Sequence, residues 1–133
     1  MIFGIWIKDL VDMENNIFHF ENLVAYQRGL ELVTHVYEVI KNFPREEQYA
    51  LCDQLRRACV SIPSNLVEGM SRTSSKEQLH FIEFAYGSLC ETMCQLEIAY
   101  ELNFIGEDDL KQAEARTTAI AQMLSGLRNK RLT

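Results

Sequence analysis

Apolar residues recur every three or four positions in four separate stretches of this 133-residue sequence. That spacing places them on one side of an α-helix, whereas a half-buried strand alternates apolar and polar residues at every second position. No stretch of the sequence shows sustained alternation of the strand type. Four amphipathic helices with short connections bury one another most economically as a bundle. The sequence therefore predicts an all-α protein, an antiparallel up-and-down four-helix bundle.

Prolines, glycines and a capping signature predict where the helices end. Pro44 closes the first helix, because proline lacks the amide hydrogen and its ring clashes with the preceding turn, and it suits the first turn of the second helix. Pro63 falls inside the second helix and predicts a kink there. Ser74, followed three residues later by Glu77, has the spacing of a capping box for the third helix. Gly106 ends the third helix and precedes the fourth.

Each helix has a predicted inner face, and the third has more apolar residues than one face needs. Phe81 and Phe84 widen its apolar side, which predicts a second covered surface and therefore a homo-oligomer. Residues 1–20 are predicted to form an N-terminal extension ahead of a bundle domain of residues 21–133. The predicted inner faces are Leu23, Tyr26, Leu30, Val33, Tyr37 and Ile40; Cys52, Leu55, Cys59, Ile62 and Leu66; Leu79, Ile82, Tyr86, Leu89, Met93, Leu96 and Tyr100; and Leu110, Ala113, Ile120, Leu124 and Leu127.

The four cysteines lie within these apolar helical patterns, at positions 52, 59, 90 and 94. A secreted disulfide scaffold places its cysteines in loops, so this pattern favours reduced thiols and a cytoplasmic protein. Free cysteine behaves as a small hydrophobic residue, and all four are predicted to lie in the core. No run approaches the roughly 18 apolar residues that span a bilayer, so no membrane contact is predicted.

Catalytic and metal-binding patterns are sparse. A di-iron bundle needs two Glu-x-x-His motifs, and only Glu77 with His80 has that spacing. The sequence contains no phosphate-binding glycine loop or nucleophile elbow. His19 and His35 have no evident serine or cysteine nucleophile as a partner. The sequence predicts no metal, no cofactor and no enzymatic activity.

Polar residues run along the second helix at spacings of four, three and four, at Arg57, Ser61, Ser64 and Glu68, with Asn65 beside them. Three interpretations remain open for this stripe. It is a solvated face, a polar network that fixes helix register, or a direct binding site. A network including Glu91 of the third helix would supply the pairing that buried charges require. Arg57 is predicted to have an internal role, because of its spacing with Ser61 and Glu68.

Four segments carry a resemblance to a known family: Phe43-Pro44, the run Gln54-Leu-Arg-Arg-Ala-Cys-Val-Ser-Ile-Pro-Ser-Asn-Leu-Val-Glu-Gly69, Ser75-Lys-Glu77, and Ala85-Tyr-Gly-Ser-Leu-Cys-Glu91. Over about residues 22 to 128 the chain resembles the four-helix-bundle proteins encoded by intervening sequences of 23S rRNA genes. That family includes the accessory variability determinant of diversity-generating retroelements. The resemblance implies a homopentameric barrel of bundles. The retroelement members of the family bind nucleic acid and a reverse transcriptase through a basic surface.

The resemblance and the spacing together define two sets of candidate residues. The polar network is predicted to contain Gln54, Arg57, Ser61, Ser64, Asn65, Glu68 and Glu91. Contacts to RNA or DNA are predicted from the places where basic residues cluster, Arg45, Arg56, Arg72, Lys76, Arg128, Lys130 and Arg131. The formal net charge of −6 departs from the basic balance of nucleic-acid-binding members. A structural assembly module with no nucleic-acid role is therefore the alternative.

No aromatic stacking motif or groove-reading helix is evident in the sequence. Any nucleic-acid recognition is therefore predicted to be largely independent of base sequence.

Overall fold

The computed structural model describes residues 17–132, with side chains from Leu23 onward. Within this range the chain forms four α-helices and no strand, which confirms the all-α four-helix bundle. Residues 1–16 of the predicted N-terminal extension lie outside the described residues. The helices are α1 (Ile17–Ile40), α2 (Leu51–Met70), α3 (Ser75–Glu101) and α4 (Glu107–Leu132), with a short 3₁₀ helix (Arg45–Glu47) between α1 and α2. None of these helices is long and apolar enough to cross a membrane.

Each helix packs against the next helix along the chain, and α4 closes the ring against α1. Between α2 and α3, Ser61 lies beside Ser88 and Gln54 lies beside Gln95, so residue numbers fall on one helix as they rise on the other. Oppositely directed neighbours produce that inverse order. The same order holds between α3 and α4, in the pairs Met93–Thr117 and Gln78–Arg131.

The core fills the space between the four helices. The inner faces predicted for the second and fourth helices are confirmed, since every residue named for them is buried. In α3, Ile82, Leu89 and Leu96 are buried, as predicted. The remaining predicted residues of that helix are half-buried at the edges of the core, at Leu79, Tyr86, Met93 and Tyr100.

The inner face predicted for the first helix is wrong in its middle part. Leu32 and Val36 are completely buried there, whereas Tyr37 is 39% exposed. Leu30 and Val33 are half-buried. The cause is that α1 carries two adjacent apolar stripes, and the stripe of Leu32 and Val36 faces the other helices. Helical spacing alone does not distinguish two such stripes.

The connection from α1 to α2 differs from the prediction as well. Pro44 precedes the 3₁₀ helix instead of entering the first turn of α2, and α2 begins only at Leu51. Bonds from Glu47 N to Pro44 O (2.9 Å) and from Gln48 N to Arg45 O (3.2 Å) span three residues, which is the 3₁₀ pattern.

The predicted kink at Pro63 stays a prediction, and α2 continues through this residue from Leu51 to Met70. Pro63 is buried against Gly29 of α1, where an added Cβ would lie 3.5 Å from the proline ring. The predicted cap of the third helix is confirmed, because the Ser74 side chain accepts a hydrogen bond from the Glu77 amide at 3.1 Å.

The cysteine prediction holds for one pair and fails for the other. Cys52 and Cys59 are buried, whereas Cys90 and Cys94 are exposed. The inner face of α3 is centred on Leu89 and its neighbours one turn away, so Cys90 and Cys94 fall on the outer side of the helix. All four are free thiols.

Candidate nucleic-acid interface and polar network

A hydrogen-bonded network joins α2 to α3 along their shared edge. The hydroxyl groups of Ser61 and Ser88 share a hydrogen bond at 2.8 Å. Asn65 Nδ2 donates to the Ser61 carbonyl oxygen at 2.8 Å and to the Ser61 hydroxyl at 2.9 Å. Thr92 Oγ1 donates to the Ser88 carbonyl oxygen at 2.8 Å. Ser61 therefore connects a side chain of its own helix to a side chain of the facing helix.

Gln95 forms a second hydrogen-bonded group on the same edge, nearer the α3 C-terminus, and among the described residues the two groups share no side chain. Its Nε2 donates to Glu91 Oε1 at 3.1 Å and lies 3.5 Å from Gln54 Oε1. The residue is only 5% exposed, and its Oε1 has no hydrogen-bond partner among the described residues. Buried polar groups of this kind are costly unless they are paired. Hydrogen bonding is therefore more complete at Ser61 than at Gln95.

Four of the seven predicted members belong to these two groups: Gln54, Ser61, Asn65 and Glu91. The predicted internal role of Arg57 is wrong, because its side chain is 81% exposed and pairs with Asp53 at 3.2 Å. Ser64 donates to the Val60 carbonyl of its own helix. Glu68 is exposed and pairs with Arg72 at 3.3 Å. These three side chains pair within α2 and the turn that follows it.

Three network residues were missed in the sequence, although a signal for them existed. Ser88, Thr92 and Gln95 follow one another at spacings of four and three, which puts them on one face of α3. Thr92 and Gln95 are buried beside apolar core residues. These residues are recognisable in the sequence as polar residues close to the core-facing positions of the third helix.

Five of the seven predicted nucleic-acid contacts converge on one end of the bundle. At this end α2 stops at Met70, α3 starts at Ser75 and α4 stops at Leu132. Arg131 Nε donates to Gln78 Oε1 at 3.1 Å, which ties the end of α4 to the start of α3. We call this region the basic end. It comprises residues 68–86 and 121–132, and its cations are Arg72, Lys76, Arg128, Lys130 and Arg131.

The other two predicted contacts lie at the opposite end. Arg45 is exposed in the 3₁₀ helix, and Arg56 donates to the backbone and side-chain oxygens of Gln48 at 3.2 and 2.8 Å. This acidic end, residues 38–57 and 97–111, carries nine acidic and five basic side chains, whereas the basic end carries three acidic and five basic. The formal charges are therefore 5 − 9 = −4 and 5 − 3 = +2. The structure separates the charge of the chain along the bundle axis.

Aromatic rings lie among the cations of the basic end. The Arg72 guanidinium carbon lies 5.0 Å from the ring centroid of Phe81, and that of Arg128 lies 5.5 Å from the ring of Tyr86. His80 and Phe84 stand edge to face with their centroids 4.3 Å apart. The sequence shows no recognised aromatic stacking motif, yet the spacing of residues 80, 81 and 84 does place these three rings within one helical turn.

An apolar groove lies on the outside of the bundle between α1 and α2. The assembly surface predicted at Phe81 and Phe84 of α3 stays a prediction; Phe84 is 51% exposed, and the Arg72 guanidinium lies over Phe81. Side chains of both helices contribute to the groove. We call it the α1–α2 groove. It is lined by Tyr26, Leu30, Val33, Val60, Pro63 and Val67, and by the polar residues Ser64 and Glu68.

Within the described residues, no group of three or more His, Cys, Asp or Glu side chains is arranged to hold a metal ion. Burial raises the pKa of Cys59 to about 11 and also raises the pKa of Cys52, so both thiols stay neutral near pH 7. The features that distinguish the surface are a charged end, a polar edge and an apolar groove. They characterise the surface of this four-helix-bundle protein.

One known protein family matches most of the chain. The chain belongs to the family of 23S rRNA-intervening sequence proteins, whose family model matches residues 21–126. This range covers α2 and α3 completely and most of α1 and α4. The family expected from the Gln54–Gly69 run is thereby confirmed.

Comparison with solved structures shows the same fold. The chain is similar to a protein of unknown function from the S23 ribosomal protein family of Bacteroides thetaiotaomicron, with a TM-score of 0.75 and 19% sequence identity. The match covers 82% of this chain and 98% of the other. At that identity the likeness concerns the fold alone. Comparison with curated proteins gave no match.

Proposed function

We propose that this protein is a non-catalytic, oligomeric binding module that contacts RNA or DNA through its basic end. The observation that supports this most directly is the convergence of five cations from the α2–α3 turn, the start of α3 and the end of α4. Clustered lysine and arginine side chains neutralise phosphates whatever the base sequence. The family name refers to an rRNA insertion, and the resemblance adds a reverse transcriptase as the kind of enzyme such a module assists.

Two cations at this end are partly pre-positioned by aromatic rings. Arg72 lies over Phe81 and Arg128 lies over Tyr86. A guanidinium held on a ring loses less side-chain freedom when it meets a phosphate, while its edge N–H groups remain available to donate. The cost of ordering these two side chains is therefore reduced before any ligand arrives. The four free thiols suit the cytoplasmic location expected from the sequence.

Fluorescence anisotropy with labelled DNA and RNA, between about 50 and 200 mM salt, tests the proposal. The test variant changes Arg128, Lys130 and Arg131 to glutamine. It should bind more weakly, and the slope of log K against log salt should fall by about two to three. The matched control changes three cations of the acidic end, Lys41, Arg45 and Lys111, to glutamine and should bind like the parent.

Equal binding by the parent and the test variant would exclude the basic end as the contact surface. No binding of either nucleic acid by the parent at the lower salt concentration would exclude the nucleic-acid role. Circular dichroism of the test variant is needed as well, because Arg131 also bonds to Gln78 and to the Leu127 carbonyl.

Assembly is the second part of the proposal, and the α1–α2 groove supports it. Val60 is 39% exposed in the groove, beside the buried ring of Pro63. Contiguous apolar surface of this kind usually marks an interface. We expect copies of the chain to associate through it, and the family resemblance favours five subunits.

Light scattering of the parent and of Val60→Asp tests assembly. The molar mass of the parent should exceed the 15.4 kDa of one chain at micromolar concentration. Val60→Asp should dissociate, because burying the new carboxylate at the interface would remove its hydration. Ile98→Asp is the control, since Ile98 is 44% exposed on α3 and outside the groove. A parent that is a stable monomer contradicts assembly.

A structural module without a nucleic-acid role is the alternative, and the α1–α2 groove is the observation that favours it. Under this alternative the parent forms the oligomer but binds neither DNA nor RNA. The anisotropy and scattering experiments together therefore separate the two functions.

A further inference from the structure

The three aromatic rings of α3 at the basic end form one cluster. His80, Phe81 and Phe84 are in mutual contact, with ring centroids 4.3 to 6.2 Å apart. Phe84 is 51% exposed and His80 is exposed, whereas Phe81 is half-buried. We call these three residues the aromatic cluster. It offers apolar ring surface to water at the end of the bundle where the cations converge.

Phe81 anchors this cluster to the bundle. Its Cβ packs so closely on Gly69 of α2 that a side chain there would come within 3.2 Å of it. On its other side, the Arg72 guanidinium lies 5.0 Å from the ring. Phe81 is thus held between the end of α2 and a cation, and it positions Phe84 and His80 beside it. The two exposed rings therefore lie against an anchored neighbour.

Two cations and a surface pocket adjoin the cluster. Arg72 and Lys76 line the same surface pocket as His80 and Phe81, so charged and aromatic groups are within reach of one ligand. The carboxylate of Glu77 lines this pocket too. It offsets part of the positive charge, so phosphate contacts alone would hold a ligand weakly. A ligand that combines negative charge with flat apolar faces would use both kinds of group.

We infer that the basic end binds single-stranded nucleic acid, with bases stacked on Phe84 and His80 and phosphates held by Arg72 and Lys76. In a duplex the base faces are covered by their neighbours, whereas a single strand can turn them outward onto an aromatic side chain. Every base has such a face, so this recognition tolerates any sequence. The inference rests on the proposed function and adds the class of nucleic acid.

Four probes of equal length test this inference: single-stranded RNA, single-stranded DNA, a duplex, and a strand in which abasic sites replace the bases. The parent should prefer the two single strands to the duplex and to the abasic strand. Comparison of the RNA and DNA arms shows which sugar the site accepts. The abasic strand keeps the phosphates, so its loss of affinity measures the contribution of the bases.

Substitution of Phe84 supplies the matching test on the protein. Phe84→Ala should bind single strands on the order of 5- to 150-fold more weakly, with its duplex affinity and its salt slope unchanged. Phe84→Trp keeps a ring and should bind at least as tightly as the parent. Tyr49→Ala is the control, because Tyr49 is an aromatic residue 96% exposed at the acidic end.

The outcomes distinguish this inference from the proposed function. If Phe84→Ala leaves single-strand binding intact, or if the parent binds the abasic strand as tightly as the normal one, stacking is refuted while charge-driven binding stands. If Phe84→Ala changes the oligomer size in light scattering, the cluster is a protein interface and the inference fails. If the variant of Arg128, Lys130 and Arg131 binds nucleic acid more weakly but Phe84→Ala does not, the proposed function is supported and the stacking inference is not.

Discussion

Two serines of one short motif should respond differently to the same substitution. Ser61 and Ser64 both belong to the Ser-Ile-Pro-Ser segment of α2. Ser61 bonds across to Ser88 on α3 and accepts from Asn65. Ser64 is exposed and donates only to the Val60 carbonyl of its own helix, at 2.8 Å. Ser61→Ala should therefore destabilise the bundle, whereas Ser64→Ala should not.

The magnitude follows from the bonds that each change removes. A typical intramolecular hydrogen bond contributes about 0.5–1.5 kcal/mol, and Ser61→Ala removes one between helices and one within α2. Asn65 keeps its bond to the Ser61 carbonyl, which limits the loss. Alanine also gains helix propensity over serine by up to about 0.5 kcal/mol at either position. The free energies of unfolding of the two variants should therefore differ by about 1–2 kcal/mol, with Ser64→Ala close to the parent or slightly more stable.

Urea unfolding followed by circular dichroism measures this difference, at one protein concentration because an oligomer's stability depends on it. Adding Ser88→Ala alone and together with Ser61→Ala completes a double-mutant cycle, which should give a coupling energy of about 1 kcal/mol. A difference between the Ser61 and Ser64 variants below about 0.5 kcal/mol would refute a stabilising network. It would leave a solvated face or a binding site as the explanation of the polar stripe.

Leu89→Ala should lower the free energy of unfolding by about 2–5 kcal/mol in the same urea assay, because Leu89 is 3% exposed and its removal leaves a cavity. Leu102→Ala is the control: Leu102 is 53% exposed, so this change should lower the free energy of unfolding by less than about 1 kcal/mol. Iodoacetamide at pH 8 should label the exposed Cys90 and spare Cys59, since burial raises the pKa of Cys59 to about 11 and only the thiolate reacts. Mass spectrometry of the peptides shows which cysteine is labelled first. Ser74→Ala removes the cap of α3 and should cost about 1 kcal/mol, and no thermal shift would contradict that role.

The sequence was sufficient for the fold because the apolar period is a local property. The stripes of α2 and α4 were predicted residue by residue, since the buried positions of each follow one helical period. For α1 the same reasoning failed, because Leu32 and Leu30 belong to two neighbouring stripes and both fit a helical period. Which stripe faces inward depends on how the other helices pack, and that is not a local property.

The candidate site was predictable only in part, for a similar reason. The basic positions could be read from the sequence, but their grouping depends on which helix ends meet. Arg72 and Arg128 are 56 positions apart in the chain and converge, whereas Arg56, much nearer to Arg72, lies at the opposite end. Arg57 was misassigned because a spacing of four residues describes the flank of a helix as well as its inner face.

The separation of charge along the bundle changes what the formal net charge of −6 means for a ligand. The 26 residues of α4 extend about 39 Å, whereas the electrostatic screening length is about 8 Å at physiological ionic strength. A polyanion near the basic end therefore responds to the local cations, and the surrounding ions screen the distant carboxylates from it. At about 0.01 M salt the screening length reaches about 30 Å, and repulsion from the whole molecule begins to oppose the approach. Affinity should then pass through a maximum as salt is diluted, a response that a uniformly basic surface does not give.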